Sequence, residues 1–174
     1  GGLALCREPD VTTLVLDIGG TTTDIGVLID GVPILEPKGV SIGGLETLVR
    51  GLKVESVGAG GDSCVALEGG NILVGPHREG PPASLGGPCP TPMDALAVLG
   101  EFPRGDREKA VNAIAPLARD LGRDIADVSK EIVSVMVRNI RKSALEFIDE
   151  VNSHPVYTIY EMLHPEIVVR SEER

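Results

Sequence analysis

The chain contains 174 residues, and its 26 acidic side chains outnumber its 16 basic ones, which gives a net charge of −10 with neutral histidine. This charge opposes binding to a nucleic-acid backbone or to an anionic membrane surface. Two Phe, two Tyr and no Trp leave almost no aromatic surface for stacking single-stranded bases. Because 42% of the residues are hydrophobic, the chain can form one domain or two small lobes around a buried core. We therefore predict a globular protein that binds neither nucleic acid nor membrane.

Cysteine usage and hydropathy suggest a compartment. Cys6, Cys64 and Cys89 are widely spaced and fit neither a disulfide framework nor a paired-cysteine zinc site. Cys64 alternates with strand neighbours, so we expect it to be a small buried hydrophobic residue. No apolar run approaches the ~18 residues that cross a bilayer, and no leader opens the chain. These features favour a soluble protein of the reducing cytoplasm, and the opening residues 1–5 indicate a fragment of a longer polypeptide.

Residues 1–92 are predicted to be rich in strands, because their short apolar runs are bounded by Gly, Pro or Asp. Tight turns at Asp30-Gly31 and Gly69-Gly70 are expected to join neighbouring strands. The helical spacing of the apolar residues between 45 and 52 predicts one short helix. Residues 75–92 are predicted to be loop. The predicted strands cover residues 12–17, 24–29, 32–35, 53–57, 63–67 and 71–74.

Residues 93–174 are predicted to be helical, because the apolar period changes after Pro92. A short helix is expected to end at Gly100, and a longer one to run from an Asp106 cap to Gly122. Asp124 or Asp127 is expected to cap a third helix, whose apolar residues from 128 to 151 recur at three- and four-residue steps. A last short helix is predicted over residues 156–163.

The segment 17–24, D-I-G-G-T-T-T-D, lies between two apolar runs. Adjacent glycines let a hairpin expose consecutive backbone N–H groups, and such groups bind phosphate oxygens. Asp17, at the end of the first strand, is a candidate ligand for a Mg²⁺ ion that offsets phosphate charge. An ordinary Gly-Thr hairpin without a ligand is the alternative. The candidate phosphate-binding residues are Gly19, Gly20, Thr21 and Thr22.

A second glycine cluster covers residues 56–63, S-V-G-A-G-G-D-S. Its match to a dinucleotide-binding fingerprint is weak, and a strand pattern follows where that fingerprint needs a helix, so we reject it. The cluster is then either a glycine-rich turn or a loop that contacts substrate or phosphate. In the second case Asp62 and Ser63 supply an acceptor and a hydroxyl. The candidate residues of this loop are Gly58, Gly60, Gly61, Asp62 and Ser63.

The order of these motifs resembles a known family. No Gly-Lys-Ser/Thr follows the first loop, so it is not a P-loop; strand, D-x-G-G-T loop and hairpin resemble the phosphate loop of the actin-like ATPase superfamily. The later segments G-A-G-G-D-S, V-G-P and P-T-P-M-D-A, the last beginning a helix that ends in L-G, resemble the hydantoinase A/5-oxoprolinase family. The family's G-P-A-C-Y-G loop is altered here, because Ser84 and Leu85 replace its Cys and Tyr.

The resemblance implies an α/β fold: a ribonuclease H-like lobe with a mixed sheet of β-hairpins followed by packed helices. It implies that residues 1–174 form one incomplete lobe with the second phosphate loop, and that the rest of the same chain completes the cleft. It also implies ATP and Mg²⁺ as cofactors, a cyclic amide as the substrate, and a possible second hydrolase subunit as a partner. The implied reaction is phosphorylation of a lactam or imide oxygen, followed by hydrolysis. Asp24 is expected to support the loop or the metal.

Other functions remain open at this stage. A sugar kinase also has a D-I-G-G-T loop, although its acidic-Gly-His segment and Cys-rich zinc loop are absent from this sequence. A non-catalytic ATP-binding switch or assembly subunit is a second alternative, and an isolated lobe that binds nothing by itself is a third. His77 is expected to be an exposed loop residue, and Asp94 is expected to cap or support its helix.

Overall fold

The computed structural model describes residues 12–39, 41–42, 45–47 and 49–154. Its strands all precede residue 75, as the sequence predicts, and its α-helices all follow residue 91. A 3-10 turn covers Ala83–Leu85. The strands are β1 Thr13–Ile18, β2 Thr23–Ile29, β3 Val32–Pro33, β4 Ser41–Ile42, β5 Leu45–Glu46, β6 Val54–Val57, β7 Val65–Glu68 and β8 Asn71–Val74. The helices are α1 Pro92–Leu99, α2 Arg107–Leu121 and α3 Ile125–Ser153.

The described strands form one four-stranded sheet and two antiparallel two-stranded sheets. The larger sheet has the order β1-β2-β3, and β6 also pairs with β2. Asp30 and Gly31, with φ of 49° and 74°, form the turn between β2 and β3, and φ above zero at both positions suits the twist of a two-residue hairpin. Gly69-Gly70 joins the antiparallel pair β7 and β8 in the same way. Both turns confirm the sequence prediction.

The helix predicted between residues 45 and 52 is wrong. Residues 45 and 46 form β5, which pairs antiparallel with β4. Leu52 forms an isolated antiparallel bridge with Leu35. The helical spacing gave a wrong prediction because Leu45, Val49 and Leu52 are all exposed, whereas a helix packed against a core buries one apolar face.

Local capping fixes the helix boundaries, at the predicted residues except at the start of α1, where Thr91 was not identified as the N-cap from the sequence. Thr91 and Asp94 form a reciprocal capping box at the start of α1, and Gly100 ends the helix with φ of 84°. Asp106 accepts hydrogen bonds from two backbone N–H groups of α2, which ends at Gly122. Oδ1 of Asp124 accepts from the N–H of Ala126 at 2.8 Å and so caps α3. The helix predicted over residues 156–163 lies outside the described residues.

The described residues form two compact units, and the first contains residues 16–25 and 55–145. Its core combines the hairpin of β7 and β8 with the apolar faces of the three helices. Ile114, Val128 and Ile132 are completely buried there, so the apolar period of α3 predicted its buried face. The core residues are Ala59, Val65, Ile72, Val74, Ala95, Ala97, Val98, Ala110, Ile114, Ala118, Val128, Ile132, Val135, Met136 and Ile140.

The described part of the second unit contains residues 12–15, residues between 26 and 54, and residues 146–154. An ionic cluster lies in this unit, where Nζ of Lys53 is 2.7 Å from Oε1 of Glu150 and 3.3 Å from Oε2 of Glu36. Burial lowers the pKa of Lys53, but the hydrogen bonds and charges of the two glutamates outweigh burial and raise that pKa above its ordinary value. The buried apolar residues of this second unit are Val27, Leu28, Ile34, Phe147, Ile148 and Val151.

These features confirm a mixed α/β fold with β-hairpins followed by helices. Its assignment as a ribonuclease H-like lobe, and as a single lobe over residues 1–174, stays a prediction. No helix within the described ranges is both long and apolar enough to span a membrane.

The expectation for the cysteines is wrong, because Cys64 and Cys89 form a disulfide. Their Cα atoms lie 5.8 Å apart, and the N–H of Val65 donates to the carbonyl of Pro90 at 2.8 Å. The two cysteines are 25 residues apart in sequence, a separation that gives no local spacing signal. The cysteine spacing therefore does not support the prediction of a reducing compartment. Cys6 lies outside the described residues.

Candidate functional site

The hairpin between β1 and β2 carries the first predicted loop. The N–H of Gly19 donates to the carbonyl of Thr22 at 2.9 Å and closes the turn. Residues 16–22 are exposed, whereas Thr23 is completely buried. Oγ1 of Thr23 donates to the carbonyl of Ala59 at 2.7 Å. The third threonine of the motif therefore anchors the hairpin, while the hydroxyl groups of the first two are left accessible.

The second glycine cluster packs directly against this hairpin. The N–H of Gly61 donates to the carbonyl of Gly19 at 2.9 Å, and the N–H of Asp62 donates to the carbonyl of Gly20 at 2.7 Å. A side chain at Gly60 would prevent this approach, because its Cβ would lie 2.6 Å from both of those carbonyl oxygens. The structure thus brings together two clusters that are 40 residues apart in sequence.

These two hydrogen bonds fix the direction of the neighbouring N–H groups. In a trans peptide the N–H points opposite to the carbonyl of the preceding residue, and the only cis peptide among the described residues precedes Pro76. The N–H groups of Gly20 and Thr21 therefore point away from Gly61 and Asp62. Within the described ranges neither group has a hydrogen-bond acceptor. Two adjacent donors on one side of an exposed hairpin can bind an anionic oxygen.

Carboxylates surround the hairpin in different environments. Asp17 is exposed at the end of β1 and forms no ion pair with any other described residue. Asp24 accepts a hydrogen bond from Oγ of Ser56 at 2.5 Å, which ties β2 to β6. Oδ2 of Asp62 lies 3.1 Å from Nη2 of Arg78. Asp17 is thus the one of these three carboxylates that has no ion-pair or hydrogen-bond partner among the described residues, whereas Asp24 links two strands.

Several residues of the second cluster shape the loop itself. Ser63 is completely buried, and its Oγ accepts from the N–H of Gly60 at 2.9 Å. A Cβ on Gly58 would lie 2.7 Å from Cβ of Pro76. Among the five candidates, Asp62 alone presents a partly exposed polar side chain, with 19% of its area accessible. Sequence reasoning missed Arg78, because a single cation in a loop has no pattern that identifies a partner 16 residues away.

The comparisons with known proteins identify the family. The model of the hydantoinase/oxoprolinase family matches residues 2–156. The chain belongs to the hydantoinase/oxoprolinase family. Among solved structures, it is similar to a nucleotide-free acetone carboxylase from a study of ATP-dependent acetone carboxylation, with a TM-score of 0.67 and 22% identity. The match covers 79% of this chain and 22% of that one, so this chain spans about a fifth of its neighbour's length. None of the curated proteins matches the chain.

The family's P-T-x-x-D-A segment has a clear structural role in this hydantoinase/oxoprolinase chain. Asp94 is completely buried, and its Oδ1 accepts from the N–H of Ser84 at 2.6 Å. Its Oδ2 accepts from the N–H of Ala83 at 3.0 Å and from both the N–H and the hydroxyl of Thr91 at 2.9 Å. The Asp94 carboxylate therefore completes the capping box with Thr91 and holds the preceding loop, which confirms the expectation that Asp94 supports its helix.

Proposed function

We propose that this chain provides the phosphate-binding part of an enzyme that uses ATP to activate a carbonyl oxygen of a cyclic amide before hydrolysis. The observation that supports it best is the pair of N–H groups at Gly20 and Thr21, which have no hydrogen-bond acceptor within the described ranges and lie on a hairpin held by the second glycine loop. Membership of the hydantoinase/oxoprolinase family supports the choice of a cyclic amide. The remaining lobe of the same chain is proposed to close over the nucleotide.

Five residues of the hairpin have a proposed role. The N–H groups of Gly20 and Thr21 donate to phosphate oxygens, and the hydroxyls of Thr21 and Thr22 add two further donors. Asp17 fits a Mg²⁺ ion, because it is an exposed carboxylate and hard oxygen atoms are the ligands that this ion prefers. Bound Mg²⁺ supplies positive charge that offsets the phosphate charge. Asp24, held by Ser56, keeps β2 in place behind the loop.

The proposed chemistry solves the low reactivity of an amide. Transfer of the terminal phosphoryl group from ATP to the amide oxygen releases ADP and makes that oxygen part of a leaving group. Water then adds to the carbon, the ring C–N bond breaks as the amine departs, and a second water hydrolyses the resulting acyl phosphate to release phosphate and the ring-opened carboxylate. Backbone donors fixed before the reaction stabilise the transferred charge without reorganising. No described residue is assigned as the general base, and a second hydrolase subunit is a proposed source of one.

Carboxylation of a ketone is the second candidate, because the chain shares its fold with an acetone carboxylase. Both candidate reactions use ATP to activate a carbonyl oxygen. They differ in whether the activated compound then reacts with water or with a carboxyl donor such as bicarbonate. The hairpin has the same role in both.

Phosphate release from ATP by the full-length protein tests the proposal. We expect release to rise when 5-oxoproline or hydantoin is added, with ring-opened product formed in equal amount. Stimulation by acetone with bicarbonate, and not by a cyclic amide, would favour the carboxylase. Stimulation by glucose alone would indicate a sugar kinase, and slow release that is indifferent to every substrate would indicate a nucleotide-dependent switch.

A further inference from the structure

Three metal-binding side chains converge away from the hairpin. The Sγ atoms of Cys64 and Cys89 and a carboxylate oxygen of Glu79 all lie within 4.8 Å of one another. The two cysteines are partly buried and Glu79 is exposed, so the cluster is open to solvent on one side. We propose that the reduced cysteines and Glu79 bind one Zn²⁺ ion, and that the disulfide is the oxidised, metal-free form of the same site.

The backbone holds the two cysteines together independently of the sulfur bond. The N–H of Cys64 donates to the carbonyl of His77 at 2.8 Å, and the N–H of Val65 donates to the carbonyl of Pro90 at 2.8 Å. The N–H of Gly75 donates to the carbonyl of Cys64 at 3.1 Å. These bonds join β7 to the loops on both sides of Glu79, so the two sulfur atoms stay adjacent when the disulfide is reduced. A preformed site needs little further ordering when it binds a metal.

The ligand set suits zinc. Zn²⁺ binds cysteine thiolates, histidine nitrogen and carboxylate oxygen, and three protein ligands leave its fourth tetrahedral position to water. Thiolate ligands disfavour Mg²⁺ and Ca²⁺, which prefer oxygen atoms. Nε2 of His77 lies 2.9 Å from Oε1 of Glu79. His77 therefore orients the carboxylate from outside the ligand set, as hydrogen-bonded partners of metal ligands commonly do.

The two forms are related by a balanced reaction. A dithiol reductant supplies two electrons and two protons, which convert the disulfide into two thiols while the reductant itself becomes a disulfide. Zn²⁺ then displaces both thiol protons as it binds the two sulfur atoms. Oxidation of the thiolates by a disulfide or peroxide removes two electrons, restores the sulfur–sulfur bond and releases Zn²⁺. Metal binding at this site therefore depends on the redox state of the protein.

Metal titration of the full-length protein tests the inference. The protein is reduced with a phosphine, freed of metal and reductant, and titrated with Zn²⁺ against a chromophoric chelator. We expect the reduced protein to bind one more Zn²⁺ per chain than the oxidised protein. Co²⁺ in place of Zn²⁺ should give the thiolate charge-transfer and tetrahedral ligand-field bands. Equal zinc binding in both redox states, or absence of these Co²⁺ bands, would overturn the proposal.

Variants identify the ligands. Glu79→Gln should weaken Zn²⁺ binding by the reduced protein by about tenfold or more, and His77→Asn should weaken it by about 10- to 100-fold. Both side chains are exposed, so we expect the fold to survive, and thermal unfolding of the oxidised protein checks this. Glu68→Gln, at an exposed position of β7, is the matched control and should leave zinc affinity unchanged. Unchanged affinity in Glu79→Gln would remove the carboxylate from the site and overturn the proposed ligand set.

Discussion

The carboxylate of Asp62 occupies the space next to Gly20, where a side chain would begin. A Cβ built on Gly20 would lie 2.5 Å from Oδ2 of Asp62. That same oxygen lies 3.1 Å from Nη2 of Arg78, and the backbone of Asp62 donates to the carbonyl of Gly20. Because Gly20 has no side chain, the ion pair between Asp62 and Arg78 can lie directly against the exposed hairpin.

Gly20→Ala is expected to displace the Asp62 carboxylate and lower activity without unfolding the protein. The contact involves the end of a flexible side chain, which can rotate away, so the cost is local. Displacement of the Asp62 carboxylate should disturb the N–H donors of Gly20 and Thr21. We expect kcat/KM for ATP to fall by about tenfold, equivalent to about 1.4 kcal/mol. Phosphate release and thermal unfolding measure the two effects.

Gly26→Ala, in β2, is the matched control for that substitution. A Cβ at Gly26 would lie no closer than 3.9 Å to any neighbouring atom. This control should leave both the turnover and the melting temperature close to wild type. Equal turnover in Gly20→Ala and Gly26→Ala would mean that the position of the Asp62 carboxylate does not matter for the hairpin.

Asp94→Asn is expected to destabilise the chain by about 3 kcal/mol. In the wild type the completely buried Asp94 carboxylate accepts hydrogen bonds from Ala83, Ser84 and Thr91. The substitution removes the negative charge and places an NH₂ group opposite some of these N–H donors. Urea denaturation measures the loss. Asp120→Asn, at an exposed position of α2, should change the stability by less than about 0.5 kcal/mol. A similar small change in Asp94→Asn would show that these hydrogen bonds contribute little.

Local signals made much of the fold predictable. The Asp30-Gly31 turn and the caps at Asp106 and Gly122 depend on residues within a few positions of one another, so the sequence alone identifies them. The buried face of α3 was predictable because a 29-residue helix repeats its apolar period many times. The short segment 45–52 has too few repeats to separate a helix from exposed apolar residues.

The site was predictable in its parts but not in its assembly. Both glycine clusters stand out in the sequence, because adjacent glycines mark unusual backbone. The hydrogen bonds from Gly61 and Asp62 to the hairpin, and the pairing of Cys64 with Cys89, depend on how distant segments pack. Ser63 illustrates the limit: its residue type suggested a hydroxyl for a ligand, whereas its burial assigns that hydroxyl to the loop.

Lys53→Met is expected to lower the stability at neutral pH by roughly 1 kcal/mol, because Lys53 interacts with both Glu36 and Glu150. The pKa of Lys53 is raised in the folded state. Its contribution is therefore fully present below the unfolded-state pKa of about 10.4 and disappears as the pH rises through the folded-state pKa. Urea denaturation across this alkaline range should show the wild-type advantage shrinking toward zero.

Lys130→Met is the control for Lys53→Met. Lys130 pairs with Asp127 at 3.4 Å, and both side chains are more than 60% exposed, so the loss should stay below about 0.5 kcal/mol. A wild-type advantage over Lys53→Met that is constant with pH would contradict the role of the lysine charge.

Asp17→Asn is expected to lower Mg²⁺-dependent ATP turnover by about 100-fold or more, because it removes the proposed metal ligand from a site of concentrated phosphate charge. The side chain is exposed, so the melting temperature should not change. Asp30→Asn is the matched control, since Asn also accepts the φ of 49° at that turn and the residue lies on the following hairpin. Turnover measured over a range of Mg²⁺ concentrations separates the possible outcomes. A loss that excess Mg²⁺ partly restores supports metal binding by Asp17, whereas unchanged turnover in Asp17→Asn contradicts it.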